Sequence, residues 1–425
     1  MGLTQPSDAE TLTADRTGFS LPWRAALDVI RTNRIPLIVF TIHLVLVFSV
    51  AALAVSQFYS LNEVPAIQYR LGPMTGIDHY LVQPLRNWDG YWYSLLANYG
   101  YGIYSASAAF WPLYPLLLWI GAQITNWDTA VVGLIISNIS FLFALILLYR
   151  LVCIDFPEAV ARRTIWLLAF FPTAYYFSAL YTESLYLLVT VAAIYYGRTG
   201  RWGRAATALG LAALTRNTGV LVIIPLAIFV IRQYGWDPRR WWKQALQLGI
   251  GAMTPLLFLL DLNHIWGQPL LMLSAQKGWA RYKAMPWTTL QQSFHMLDTS
   301  WITTLINSPT WSTLTDPYFR LAFAESQFYD LLIFLVFVPI VAYMLWRVRS
   351  AYSLYALVVF VLPLFTPSLV HPLMSVPRFV IVLFPLFIAL AIFARRRWIF
   401  WPLMAIFIIQ FVALLIQFST WFWVA

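Results

Sequence analysis

Five short stretches of this chain gather acids, arginines and aromatic rings in patterns that could handle a sugar and a phosphate. The first runs from Arg86 to Tyr93, where Asp89 lies among Trp88, Tyr91 and Trp92. Aromatic faces can stack on a sugar ring, and a carboxylate held beside them could take a proton from a hydroxyl. The alternative is structural: Asp89 could cap the helix-like stretch that follows. The second, Ala109–Leu116, has Pro112 and Pro115 around Tyr114. Prolines this close break regular hydrogen bonding, so the stretch could line a cavity or simply begin a helix. The third, Phe170–Tyr186, carries Glu183 at the edge of an apolar run. A charge there is costly unless it faces a pocket or a partner such as Arg216; the alternative is a snorkelling or capping carboxylate. The fourth, Leu214–Gly219, sets Arg216 inside an apolar stretch. It is the costliest residue of the chain to place, and it calls for an anionic partner, a lipid phosphate or Glu183. The fifth, His371–Phe379, holds Arg378, whose forked guanidinium suits a phosphate or serves as an interfacial anchor. His371 could carry a proton, although a lone loop histidine is more often inert. Lys277, Arg281 and Lys283 sit close to Trp279 and Tyr282 and form a further basic-aromatic patch, suited to a substrate phosphate or to lipid headgroups. No metal-ligand spacing, phosphate-cradling glycine loop or nucleophile elbow occurs. The expectation is therefore no metal ligand and no cofactor, with dependence on a divalent ion left open.

The elements that must position these residues are membrane helices. Of 425 residues, 61% are hydrophobic and 10% charged, against about 25% charged in a soluble domain. Apolar runs near 36–56, 130–150, 180–197, 245–262, 353–369, 377–394 and 399–420 approach the length of a span. Shorter ones near 109–124, 164–178, 205–215, 217–231 and 331–346 suggest tilted, broken or re-entrant helices. The net charge of +10 comes from arginines and lysines in short loops. The positive-inside rule accounts for them better than nucleic acid does, so no nucleic-acid partner is expected. Arg16, Arg24, Arg31 and Arg34 then make the polar segment 1–34 cytoplasmic, and 35–425 reads as a single multi-span domain. The clusters at Arg150–Arg163, Arg198–Arg204, Arg232–Lys243, Arg347–Arg349 and Arg395–Arg397 fall on the same side. Loops at about 54–108 and 263–330 become long outer loops, and the five stretches lie at the outer face. With Arg150 inside, the run at 109–124 must start and finish outside as a re-entrant hairpin. A single cysteine, Cys153, allows no internal disulfide. No internal repeat is apparent, and an inverted one would have pointed to a transporter.

Taken in order, Asn-Trp-Asp89-Gly-x-Trp-Tyr, Ala-Asn-Tyr-Gly-Tyr101, Phe-Trp-Pro-Leu-Tyr-Pro115, Phe-Pro172, Tyr-Thr-Glu183-Ser, Leu-Thr-Arg216-x-Thr-Gly219 and Pro-Arg378-Phe with Phe-Pro385 resemble the PIG-V-type mannosyltransferases of the GT-C superfamily. The resemblance runs from about Trp88 to Ala391. It implies an all-α polytopic bundle of the GT-C type with large outer loops and some short or re-entrant helices. It also implies a polyprenyl- or dolichyl-phosphate mannose donor, and an acid of the first outer loop, here Asp89, as general base. The family usually has Arg directly before Trp-Asp; this chain has Asn87 there, with Arg86 one place earlier.

The expected reaction is attack of an acceptor hydroxyl, deprotonated by Asp89, on the anomeric carbon of the lipid-linked sugar, with inversion. Arg378 and Arg216, then Lys277 and Arg281, are the cations expected to meet the leaving phosphate. Arg86, Trp88, Trp92, Tyr114, Glu183 and His371 complete the expected substrate-binding set. The partners are the lipid-phosphate sugar donor, membrane lipids, and a glycan, glycolipid or protein acceptor. The competing readings are a transporter or flippase of lipid-linked sugars and a subunit that only binds lipid carriers. The one Asn-x-Ser/Thr site, at Asn138, falls inside an apolar run, which leans toward a bacterial plasma membrane.

Overall fold

A computed structural model describes residues 32–58, 60, 71–72, 74–348 and 351–424. Arg16, Arg24, Arg31, Arg70 and Arg349 lie outside the described residues, as do nearly all of the 1–34 segment and part of the first long loop. The fold is the all-α bundle expected. Among the described residues no strand forms, and one bridge pairs Arg281 with Ser368. Fifteen helices carry the argument: α1 Arg34–Gln57, α2 Asp89–Tyr99, α3 Leu113–Thr125, α4 Thr129–Asp155, α5 Glu158–Ala169, α6 Glu183–Arg198, α7 Trp202–Thr215, α8 Ile223–Tyr234, α9 Trp242–Ala252, α10 Pro255–Trp266, α11 Phe328–Arg347, α12 Ala351–Val361, α13 Val376–Ile381, α14 Phe384–Phe393 and α15 Arg397–Ser419. Six stretches among the described residues are long and apolar enough to cross a membrane: α1, α4, Asn217–Tyr234, Trp242–Trp266, α11 and α15.

Several apolar runs are broken where the sequence suggested continuous spans, and proline accounts for the breaks. The run near 245–262 becomes α9 and α10, with the chain interrupted ahead of Pro255. The run near 353–369 ends as α12 and passes into a 3₁₀ turn, Leu362–Phe365, at Pro363. The run near 377–394 splits into α13 and α14, with Pro377 and Pro385 in their first turns. A proline lacks the N–H that a continuing helix needs but is tolerated at a helix start. The opposite correction applies to the run near 331–346, which extends to the 20 residues of α11. The loop at 263–330 is also more ordered than an open loop, with short helices from Leu271–Ala275 to Pro317–Glu325.

The thirteen residues of α3 measure about 20 Å, short of the roughly 30 Å hydrocarbon core. This helix packs back along the first turns of α4: Tyr114 Oη donates to Gly133 O at 3.0 Å and pairs with Ser137 Oγ at 2.7 Å. A Cβ on Gly121 would stand 2.5 Å from Val132, so the two helices close on each other through that glycine.

Three helices that reach the polar centre, α6, α7 and α11, carry basic residues at their far ends. Glu183 begins α6 and Arg198 ends it, about 22 Å apart at helical rise. Arg201 and Arg204 open α7, and Arg216 follows its end. Asp330 starts α11 and Arg347 closes it. At the basic end Asp155 accepts from Arg198 Nη2 and Tyr352 Oη, both at 2.6 Å, and Arg150 Nη2 donates to Asn33 Oδ1 at 3.0 Å. Packing of α4 on α6, α6 on α7, α7 on α9 and α5 on α14 builds the core between the two ends.

Candidate active site

The chain enters the site through a strained turn. Trp88 has φ of 59°, a left-handed conformation unfavourable for a large side chain. Its neighbour Asn87 holds the turn: Nδ2 donates to Phe418 O at 3.0 Å and Ser419 O at 3.2 Å, and Tyr181 Oη donates to Asn87 O at 2.9 Å. Asn87, where the PIG-V-type pattern has Arg, is thus a clamp onto the end of α15. Immediately after the turn, Asp89 begins α2. Its side chain caps no backbone N–H, which removes the structural alternative for this acid. Its Oδ2 instead accepts from Arg378 Nη1 at 2.7 Å.

Arg378 belongs to α13 and joins two acids. Its Nε donates to Glu183 Oε1 at 3.0 Å, and Arg216 Nη1 reaches the same oxygen at 2.8 Å. Glu183 has no exposed side-chain surface, and its Oε2 has no hydrogen-bond partner among the described residues. The result is a row Asp89–Arg378–Glu183–Arg216, acid and cation alternating. Aromatic faces finish the row: Arg378 lies 4.7 Å from the Tyr181 ring centroid and 5.1 Å from that of Tyr176, and Arg216 lies 5.5 Å from that of Phe379. Such a row satisfies charges that would be expensive singly in an apolar bundle.

The row lies along a cavity of about 670 Å³. Asp89, Arg216 and Arg378 face it, with Tyr93, Phe110 and Trp111 as aromatic wall. Lys277, Arg281 and Lys283 line the other side together with Trp279 and Tyr282. Arg281 forms no ion pair among the described residues; its guanidinium donates to Thr366 O at 3.0 Å and Met374 O at 3.3 Å. Burial, then the like charge of Arg378, lowers its pKa to about 10. Such a cation gains from an arriving anion. Among the described residues no group of three metal-binding side chains forms.

The remaining expected residues stand elsewhere. Arg86 is buried behind the Trp88 turn, where Nη2 donates to Gly72 O at 3.0 Å, Gln83 Oε1 at 3.1 Å and Tyr91 Oη at 3.1 Å; it does not line the cavity. Trp88 packs against Trp421 and Trp423 at centroid distances of 5.5 and 5.1 Å. Trp92 stacks on Phe110 at 5.5 Å and so backs the wall rather than forming it. Tyr114 is interior to the α3–α4 contact. His371 pairs with Gln327 and stacks on Trp423, and burial lowers its pKa to about 4, which suits a neutral ring. Glu183 lies beneath the floor. Sequence reasoning passed over Tyr93, Tyr176, Tyr181 and Trp423. Their one signal was aromatic type, in a chain that is 17% aromatic.

Fold and site together define a multi-span helical bundle in which an acid–arginine row, further cations and aromatic walls line one cavity. Residues 34–235, just under half of the chain, match the sequence profile of the mannosyltransferase (PIG-V) family, a stretch that takes in Asp89, Glu183 and Arg216. Two solved structures of the Archaeoglobus fulgidus oligosaccharyltransferase are similar in fold: one tethered via a disulfide bond to an acceptor peptide containing the NVT sequon, the other in the apo form. Each gives a TM-score of 0.42 at 15% identity, over 88% of this chain and 55% of the other. The chain thus spans about half the length of the solved proteins it matches. No curated protein matches it.

Proposed function

We propose that this chain transfers mannose from a polyprenyl- or dolichyl-phosphate carrier to an acceptor hydroxyl, with inversion, at the non-cytoplasmic face of the membrane. The observation that carries the reading is the cavity in which a partly exposed acid, Asp89, stands with Lys277, Arg281 and Lys283, which form no ion pair among the described residues. Asp89 takes the proton of the acceptor hydroxyl. The oxygen attacks the anomeric carbon, the bond from that carbon to the phosphate oxygen breaks, and the phosphate leaves with the electron pair. Oδ2 of Asp89 is fixed by Arg378, while Oδ1 has no partner among the described residues and is the oxygen to receive the proton. Arg216 and Arg378 are engaged by Glu183 and Asp89. The charge that grows on the leaving phosphate therefore falls to Lys277, Arg281 and Lys283, which line the other side of the cavity and act electrostatically. The outward placement rests on the basic far ends of the site-bearing helices and the positive-inside rule.

The test is transfer of labelled mannose from polyprenyl-phosphate mannose in membranes containing the wild type or Asp89→Asn, with a crude lipid extract as acceptor. Product with the wild type and at least about 10²-fold less with the variant is expected, at the lower end of what a positioned base contributes. Equal product in both would remove Asp89 from the mechanism.

A further inference from the structure

A second cavity of about 570 Å³ opens between α2, α3, α7 and α10, on the far side of the Phe110–Pro112 segment from the first. Leu96, Leu116, Leu214 and Leu257 make most of it apolar, while Tyr99, Tyr101, Trp119 and Phe258 bring four rings to it. One charged residue lines it, Asp261. This acid lies within Trp242–Trp266, a stretch apolar and long enough to cross a membrane, and it is exposed. It has no hydrogen bond or ion pair among the described residues, and no basic residue lines the groove. The groove lies near the polar end of the bundle, because Trp266, at the end of the same helix, donates Nε1 to Tyr101 O at 3.0 Å.

A carboxylate within an apolar, span-length stretch is expensive and persists where it meets a countercharge. The protein supplies none here, so the bilayer must. A lone acid in a groove walled by electron-rich ring faces selects an ammonium group, which gains from both the charge and the rings. We propose that this groove holds a phospholipid with a primary ammonium headgroup, its ammonium on Asp261 among Tyr99, Tyr101 and Trp119 and its chains along Leu116, Leu214 and Leu257. The proposal is independent of the transfer chemistry, since the groove shares no lining residue with the catalytic cavity.

The probes are dioleoyl phosphatidylethanolamine and dioleoyl phosphatidylglycerol, which share acyl chains and differ in headgroup charge. The delipidated full-length protein in detergent is titrated with each, and bound lipid is counted by native mass spectrometry. The wild type is expected to prefer the ethanolamine lipid by about tenfold, the ratio that ~1.4 kcal/mol gives. Asp261→Asn should bind both equally, and Asp261→Glu should keep the preference. Thermal midpoints of the lipid-free variants, matched to the wild type, show that each is folded. No preference in the wild type, or a preference that survives in Asp261→Asn, overturns the proposal.

Discussion

Glu183→Gln keeps the shape of the buried side chain and removes the charge that holds two guanidinium groups. In the wild type Oε1 of Glu183 lies 2.8 Å from Arg216 Nη1 and 3.0 Å from both Nε and Nη2 of Arg378. Breaking a buried ion pair by removing one partner costs about 3–5 kcal/mol. Two features pull this case to the low end. Arg378 retains Asp89 at 2.7 Å, and the Arg216 side chain, 14% exposed, recovers some hydration. A loss of about 3 kcal/mol lowers the melting point by roughly 3 °C in a chain of this size, at about 1 °C per kcal/mol. Tryptophan fluorescence of the detergent-solubilised protein on heating reads it. The sharper assay is the cycle with Arg216→Gln. Once Glu183 is neutral, removing Arg216 relieves an orphaned charge, so the double variant should melt above Glu183→Gln alone. A coupling on the order of 1–2 kcal/mol is expected. Strict additivity, or no loss in Glu183→Gln, would refute the row as a charge network.

Four further outcomes are expected. Arg378→Lys, which cannot bridge Asp89 and Glu183 as a fork does, should lower kcat by about 10²-fold or more while the protein stays folded. Arg281→Gln should raise KM for the lipid-phosphate donor and weaken the dependence of KM on salt, since that cation lines the cavity and its hydrogen bonds go only to backbone carbonyls. Arg86→Ala should lower thermal stability rather than raise KM, because Arg86 ties Gly72, Gln83 and Tyr91 outside the cavity. For His371 the folded pKa of about 4 lies below the ordinary 6.5, so the neutral ring favours folding. Its contribution is complete above pH 6.5 and is lost as pH falls toward 4. The thermal midpoint of the wild type should fall as pH drops through that window, and fall less in His371→Asn.

The pairing of Glu183 with Arg216 was legible because charge inside apolar sequence demands a partner and the two stand 33 residues apart. The Arg378–Asp89 bond, across 289 residues, was not: both residues were legible, but their contact is made by tertiary packing. Arg86 reads as a site residue from its nearness to Asp89, yet the left-handed turn at Trp88 sends the two side chains apart. Trp423 was invisible for another reason. It follows the last apolar run, and its place at the cavity comes from α15 packing on α1 and from contacts with Trp88 and His371. Helix breaks at Pro255, Pro363 and Pro385 were readable in principle; periodic hydrophobicity masked them, since an all-apolar run has no face to lose.

The most direct measurement is the anomeric configuration of the product made by the purified protein from labelled polyprenyl-phosphate mannose and its acceptor, read by NMR. The account predicts mannose transferred with the configuration opposite to that in the donor, the result of one displacement assisted by Asp89. Transfer with retained configuration, or no transfer by protein shown to be folded and supplied with lipid, would contradict it.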